Sequence, residues 1–238
     1  MSVVIEQGIG SKWVFKTFFE IMRRDGVSKL IKESFFQATT RYYENHFGVS
    51  TRGSVPEEEL GYLDAESCHY SSVHYRHMLQ VFRKLPVKPE ESVLLDYGCG
   101  KGRVIVTASS FPFKRVIGVE ISNLINIAHI NVSRMKHRKA REIVLEKCPA
   151  QNFVVPSDVN IFYFFNPFRG SILEKVTQNI RASYQQTPRK IFIVFFNNDH
   201  FDRIIFAQPW LSKIEQSQFH PDISFGLYET PDPPKQFL

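Results

Sequence analysis

An acidic residue followed by three alternating glycines is the pattern in this chain most suited to chemistry. Asp96 ends an apolar run, and Gly98, Gly100 and Gly102 follow it at every second position. Glycine lets a backbone turn sharply and a ligand approach closely. The helix predicted from Val104 onwards would point unpaired N–H groups at that ligand. The pattern predicts a nucleotide-type pocket in which Asp96 faces a cationic group or a hydroxyl.

The spacing of these glycines argues against two common nucleotide motifs. A dinucleotide fingerprint requires Gly-x-Gly-x-x-Gly, and its third glycine position is Arg103 here, which disfavours an NAD-type oxidoreductase. A P-loop requires an earlier glycine and a Ser or Thr after Gly-Lys, and neither is present. S-adenosylmethionine (SAM) suits the acid at Asp96, because its methionine end carries an ammonium and its centre a sulfonium.

A second acid ends the next predicted strand, 115–120. Glu120 follows Asp96 by 24 residues, close to the roughly 20 expected for the acid that binds a ribose in a nucleotide-binding βαβ unit. Its two carboxylate oxygens can accept from two adjacent hydroxyls, which favours an unphosphorylated ribose. The alternative is that Glu120 only caps the helix that starts near Ser122.

These two segments resemble the class I, seven-stranded SAM-dependent methyltransferases. The acid and glycines at 96–102 match their first motif, and Val119-Glu120 matches their second. The resemblance spans roughly residues 61–230. It implies a doubly wound α/β fold with a mostly parallel seven-stranded sheet and a C-terminal antiparallel hairpin, SAM as the cofactor, and methyl transfer as the activity.

The turn after the fourth predicted strand, 159–165, reads Asn166-Pro167-Phe168. In the resembling superfamily an Asp/Asn-Pro-Pro-aromatic motif stands here in many amine-directed methyltransferases. The likeness implies that Asn166, Pro167 and Phe168 are catalytic and that the acceptor is an amine, such as a protein lysine. Only one proline is present, so a simple strand-ending Asn-Pro turn is the alternative. RNA and small-molecule acceptors stay open, as does a non-catalytic SAM-fold interaction module.

Two further segments are assigned to the cofactor by resemblance. A similar His-Tyr-x-x-x-x-Tyr run precedes the SAM motif in related bacterial methyltransferase-like proteins, which implies that Tyr70 and Tyr75 close over SAM or line the substrate mouth. The alternative is a helix N-cap at Ser71 or Ser72, with Tyr75 in the core.

After the third strand, 142–146, the superfamily's acid is missing from residues 147–152. Ala150 could still donate its backbone N–H to adenine.

A base is needed if the acceptor is a lysine, since an ammonium must lose a proton before it can attack. Four residues are candidates by placement alone: His69, His74, Tyr163 and Asn197. Cys99, inside the glycine turn, is interpreted as a small residue tolerated there and not as a nucleophile.

Residues 1–60 are predicted to form a helical extension and linker, 61–230 the methyltransferase domain and 231–238 a tail. The helical pattern covers 11–47, with a break at Asp25-Gly26 and an end at Gly48. The extension could cover the sheet, shape the substrate site or lie on a membrane surface. Further helices are predicted at about 74–84, 122–136, 170–184 and 200–206, and strands at 92–96, 191–196, 211–219 and 223–229.

Composition sets the remaining expectations. The 238 residues are 43% hydrophobic with 22 Phe, which allows a substantial core, and no run of about 20 apolar residues predicts a membrane span. Three cysteines without metal spacing favour a reduced, cytoplasmic location. No metal and no DNA partner are expected, and the oligomeric state stays open. The net charge of +6 is densest at 134–141, where a solvated helix end is favoured over a nucleic-acid patch.

Overall fold

The computed structural model describes residues 31, 34–53, 60–61, 73–165, 167–196, 202–203, 210–220 and 223–232. The chain divides into two compact units, Met1–Asn45 and His46–Leu238. In the first unit residues 34–45 are helical, and the Thr39 hydroxyl donates to the Phe35 carbonyl within that helix at 2.7 Å. The predicted helices at residues 11–30 lie outside the described residues.

The second unit is built on one seven-stranded sheet. Its strands are β1 (Val93–Tyr97), β2 (Arg115–Glu120), β3 (Glu142–Lys147), β4 (Ile161–Phe165), β5 (Phe192–Phe196), β6 (Ser212–His220) and β7 (Ile223–Glu229). Their order is β3-β2-β1-β4-β5-β7-β6. The first five strands are parallel, and β7 is antiparallel to both β5 and β6. The predicted α/β fold with its C-terminal hairpin is confirmed.

Helices lie before β1 and between the parallel strands. They are α1 (Tyr75–Lys84), α2 (Arg103–Ser109), α3 (Leu124–Arg134) and α4 (Gly170–Gln186), with one-turn 3-10 helices at Pro89–Glu91 and Ala150–Asn152. The predicted elements are confirmed with ends shifted by one to two residues. Of the short helix expected near 200–206, Asp202 and Arg203 are helical and the rest lies outside the described residues. No helix within the described ranges has the length and apolarity to cross a membrane.

The central strands are apolar because they are covered on both faces. All residues of β1 and β5 are buried, and so are the first four of β4. On one face the Phe164 ring stacks between Tyr97 and Phe195, with centroids 5.3 and 5.0 Å away. On the other face Tyr163 contacts Phe82 of α1. This packing fixes the position at which β1 and β4 end side by side.

Residues 46–53 belong to the sheet unit, although the predicted extension runs to residue 60. The helix that enters this segment ends at Gly48, whose φ of +72° supports the predicted stop. Beyond it, Lys101 Nζ donates to the carbonyls of Arg52 and Gly53, both at 2.7 Å. Asn131 of α3 bonds both the N–H and the carbonyl of Ser50 at 2.9 Å. These polar contacts hold the segment to α3 and to the turn after β1.

Candidate functional site

The turn between β1 and α2 has the geometry expected of a ligand-binding loop. Gly98, Gly100 and Gly102 all adopt positive φ, at +75°, +52° and +81°. The N–H groups of Gly98 and Cys99 both donate to the Val119 carbonyl, at 2.8 and 3.1 Å, which ties the turn to β2. Because L side chains rarely adopt positive φ, the alternating glycines are a requirement of this backbone path.

The turn lies at the switch point of the sheet. The order β3-β2-β1-β4-β5 means that the chain leaves β1 towards one edge through β2 and β3 and towards the other through β4 and β5. Ligands of open α/β sheets bind at the carboxyl ends of the two strands on either side of such a point. Asp96 and Pro167 therefore lie at the edge of the sheet where such ligands bind.

Asp96 is buried without a partner for one of its carboxylate oxygens. The residue is 2% exposed, and Oδ2 has no hydrogen bond within the described part of the chain. Burial, and then the nearby charge of Glu120, raise the pKa of Asp96 well above its usual value. A buried acceptor of this kind is costly unless something donates to it. Asp96 is therefore suited to a cationic or hydroxyl-bearing ligand.

Glu120 uses both oxygens on backbone N–H groups. Oε2 accepts from Gly100 at 2.8 Å, and Oε1 accepts from Ser122 at 2.9 Å. The bond to Ser122 agrees with the capping alternative, although α3 itself starts at Leu124. A carboxylate oxygen can accept more than one hydrogen bond, so the ribose role of Glu120 stays a prediction.

The turn after β4 packs directly on the glycine turn. A Cβ built on Gly98 would stand 2.6 Å from the Pro167 Cβ, so only glycine leaves room for this proline. Phe168 is 6% exposed, and its ring meets the edges of Tyr97 and Phe164. This burial makes Phe168 a core contact in the structure, and its contact with substrate stays a prediction. Asn166 lies outside the described residues.

Tyr75, the first residue of α1, lies in the core, as the alternative to a cofactor role for this residue predicts. Its ring is fully buried, its hydroxyl shares a 3.0 Å hydrogen bond with Thr51 Oγ1, and the Arg103 guanidinium lies 4.9 Å from the ring centroid. The N-cap is His74, whose Nδ1 accepts from the Arg76 N–H at 3.1 Å. Tyr70, His69, Ser71 and Ser72 lie outside the described residues, and a cofactor role for Tyr70 and Tyr75 stays a prediction.

His74 caps the start of α1, and its low pKa makes it a weak base. Burial lowers its pKa to about 4, with smaller contributions from the positive charges of His77, Arg103 and Arg76. The imidazole is therefore neutral at pH 7, and its Nδ1 is already used in the cap. Tyr163 is also unsuited to proton abstraction, because burial and then Asp96 raise the pKa of its phenol well above the usual value. Asn197 lies outside the described residues.

The segment after β3 contains Ala150, the residue whose N–H is predicted to donate to adenine. Ala150 begins the one-turn helix Ala150–Asn152, and its N–H has no acceptor among the described residues, as is usual for a first helical residue. The Gln151 carbonyl accepts from Asn179 at 2.8 Å, which fixes the helix against α4. These contacts are consistent with the predicted adenine role of Ala150, which stays a prediction.

Lys101 and Arg103 were not found by the sequence argument. Both side chains are buried, and they hold the outer side of the glycine turn: Lys101 through the Arg52 and Gly53 carbonyls, and Arg103 Nε through Thr51 Oγ1 at 2.8 Å. Their partners are about fifty residues away in sequence. Nothing in the spacing of the motif indicates them.

Comparison with known proteins supports the fold. No protein-family profile and no curated protein matches the sequence. A ribosomal protein L11 methylase from Lactobacillus delbrueckii subsp. bulgaricus superposes with a TM-score of 0.50 at 14% identity, over 69% of this chain and 81% of that chain. A SAM dependent methyltransferase from Aquifex aeolicus gives 0.50 at 13% identity, over 64% and 88%. At these identities the likeness concerns the fold: the chain has the class I methyltransferase fold.

Tyr163→Phe is expected to raise the free energy of unfolding of the ligand-free protein by about 1 kcal/mol. Its hydroxyl is buried and has no partner within the described residues, and Phe fills the same space. Because Tyr163 pairs with Asp96 across parallel strands, the two side chains lie on one face of the sheet. Urea denaturation measures the gain. Tyr97→Phe, on the opposite face, is the matched control and should give a similar gain.

A stability loss in Tyr163→Phe would contradict this account, since it would show that the hydroxyl is bonded in the free protein. SAM titration of both variants adds a second comparison. Only Tyr163→Phe should weaken SAM binding, because only Tyr163 shares the face of Asp96.

Proposed function

We propose that this protein is a SAM-dependent methyltransferase that transfers the methyl group to an amine nitrogen. The observation that carries the proposal is the buried carboxylate oxygen of Asp96, which has no hydrogen-bond partner within the described residues and lies beside a turn of three positive-φ glycines. The class I fold supports it, and the Aquifex aeolicus protein of the same fold is described as SAM dependent.

The candidate site residues can each be matched to one part of SAM. Asp96 would accept from the methionine ammonium, which supplies the donor that its buried oxygen lacks. Backbone N–H groups of the glycine turn and the start of α2 would receive the methionine carboxylate. Glu120 would accept from ribose hydroxyls, and the Ala150 N–H would donate to adenine.

When bound, SAM supplies a methyl carbon already activated by its sulfonium. The amine lone pair forms the new C–N bond as the C–S bond breaks, leaving S-adenosylhomocysteine, and the amine proton passes to solvent or a base. The protein's contribution is proximity and alignment. Asn166 would accept a hydrogen bond from the amine and aim its lone pair, and Pro167 would hold that turn against Gly98.

Asn166→Ala is expected to leave SAM affinity within about twofold and to reduce methyl transfer by about 100-fold, the usual size of a lost orienting contact. Transfer is measured as radiolabel moved from SAM to proteins and RNA of a cell extract. Gln178→Ala, an exposed position of α4, is the matched control and should change neither quantity. Undiminished transfer in Asn166→Ala would overturn its role. SAM binding by the wild type without transfer to any acceptor would favour a non-catalytic module.

A further inference from the structure

We propose that this protein carries a docking surface for single-stranded RNA on a face formed by residues 46–53 and 124–141, here called the basic face. It comprises the segment after Gly48, the helix α3 and the turn that leads into β3. That turn lies at the amino end of β3, opposite the edge where Asp96 faces the crevice. The docking does not depend on the proposed methyl transfer, and the experiment below measures the two separately.

The charge of the basic face is entirely positive. Its two segments contain six Lys or Arg residues and no Asp or Glu. All six basic residues are exposed, and they are Arg52, Arg134, Lys136, Arg138, Lys139 and Arg141. Three histidines, at 46, 129 and 137, are exposed on the same face. A surface of this composition attracts a polyanion.

Five of the six positive charges have no acidic partner within the described residues. Within the described residues, Arg134, Lys136, Lys139 and Arg141 form no ion pair, and Arg138 donates only to the carbonyls of Ala140 and Arg141. Lys114 and Arg115, nearby at the start of β2, differ because both pair with Asp158. The dipole of a helix end is complemented by cations in its last turn, and the basic face carries more positive charge than its one helix end holds. The excess is available to an anionic partner.

The face also contains a groove of nucleotide size. A cavity of about 420 Å³ opens between residues 48–52 and α3. Arg52 and Arg134 stand at its rim, and Ile127 and Ile130 line it, with Ile130 47% exposed. The rest of the lining includes polar residues, Ser50, Lys101 and Asn131. Cations beside apolar side chains suit a nucleotide, since the phosphate contacts the cations while the base covers the two isoleucines.

Stacked aromatic rings lie beside the groove. The imidazoles of His46 and His137 are parallel within 14°, with centroids 4.4 Å apart, and both residues are exposed. His137 adopts a φ of +60°, and no other described residue except glycine has a positive φ. An exposed flat ring next to phosphate-binding cations is how proteins hold unstacked bases of single-stranded RNA.

These features favour RNA over other polyanions. A membrane-binding surface presents a broad set of protruding apolar side chains, whereas the groove here has only a few, Ile127 and Ile130 among them, beside cations and polar residues. The carboxylates of an acidic protein segment would pair with the cations, but they would not stack on the imidazoles. Single-stranded RNA satisfies the cations, the groove and the rings together.

The test is fluorescence anisotropy of a labelled single-stranded RNA of mixed sequence, titrated with the full chain at several salt concentrations. Lys136→Gln combined with Lys139→Gln should weaken binding at least 10-fold at physiological salt. The slope of log affinity against log salt should fall by about 1.4, since each phosphate contact of a single strand contributes about 0.7. The matched control, Lys175→Gln with Arg181→Gln on α4, removes the same net charge and should change binding less than twofold.

His46→Ala tests the stacked rings separately. We expect roughly a 5-fold or greater loss of RNA affinity with an unchanged salt slope, because stacking releases no counterion. SAM affinity, measured on every variant, should stay at the wild-type value, which separates failure of the docking from failure of the SAM site.

Three outcomes would overturn the docking proposal. The first is an equal loss in the basic-face pair and in the α4 pair, which would show a response to net charge only. The second is absence of RNA binding by the folded wild type at low salt. The third is binding to phosphatidylserine vesicles without binding to RNA, which would make the face a membrane contact.

Discussion

Asp96→Asn is expected to lower SAM affinity roughly 10- to 100-fold and, at the same time, to stabilise the ligand-free protein. A hydrogen bond to a charged group contributes about 1.5–3 kcal/mol, which sets the size of the affinity loss. The stability gain arises because the substitution removes a buried charge whose oxygen has no partner in the described structure. Opposite effects on binding and stability are typical of a residue kept for its ligand.

The stability gain of Asp96→Asn should depend on pH. The folded pKa of Asp96 is raised above its unfolded value, first by burial and then by Glu120. A raised carboxyl pKa favours folding below the unfolded pKa of about 4, and that advantage is lost as pH rises through the folded value. The gain of Asn over Asp should therefore be smallest near pH 4 and grow towards neutral and higher pH.

Urea denaturation of both proteins across this pH range, with SAM titrations at neutral pH, measures the two effects. Glu174→Gln is the matched control, because it neutralises an exposed acid on α4 and should change neither quantity. An Asp96→Asn protein less stable than wild type at neutral pH would mean that the carboxylate is satisfied in the free protein. The case for its ligand role would then fail.

Gly98→Ala is expected to reduce the free energy of unfolding by about 2–5 kcal/mol and to remove both SAM binding and methyl transfer. Positive φ at a residue with a Cβ costs about 1–2 kcal/mol, and overpacking adds about 1–3 kcal/mol. The new Cβ would lie 2.6 Å from the Pro167 Cβ, so the turn after β4 must move away from the glycine turn.

Gly53→Ala separates the two causes. Gly53 has nearly the same φ, +76° against +75°, but the nearest atom to its Cβ position is Lys101 Nζ at 3.9 Å. It should therefore show the backbone cost alone, about 1–2 kcal/mol. Adding Pro167→Gly to Gly98→Ala removes the opposing Cβ and should recover part of the lost stability, as a double-mutant cycle measures. Equal losses in Gly98→Ala and Gly53→Ala, without recovery, would show that the contact between the two turns is unimportant.

The strands and the glycine turn could be predicted because their signals are local. Strands 115–120 and 223–229 have the predicted bounds, since each is an apolar run bounded by polar or turn residues. The position of Asp96 at the carboxyl edge followed from the same pattern. The burial of β4 on both faces followed from its five apolar or aromatic residues.

The contacts that complete the site could not be predicted, because they join distant segments. Lys101 reaches Arg52 and Gly53 across about fifty residues, and no spacing rule indicates it. The packing of Phe168 against the rings of Tyr97 and Phe164 could not be predicted either, because these rings come from two different strands.

The start of α1 shows a limit of local rules as well. Rules for helix starts rank Ser, Thr, Asp and Asn first, whereas the cap here is a histidine held neutral by burial. Its imidazole nitrogen replaces the hydroxyl oxygen as the acceptor. The use of a histidine as the cap of α1 depends on the burial of His74, which helix-start rules do not include.

Calorimetric titration of the wild-type protein with S-adenosylhomocysteine tests the central claim most directly, because it needs no knowledge of the methyl acceptor. The account predicts saturable one-site binding in the micromolar range that Asp96→Asn weakens and Glu174→Gln leaves unchanged. Absence of binding to the folded wild type, for this ligand and for SAM, would contradict it.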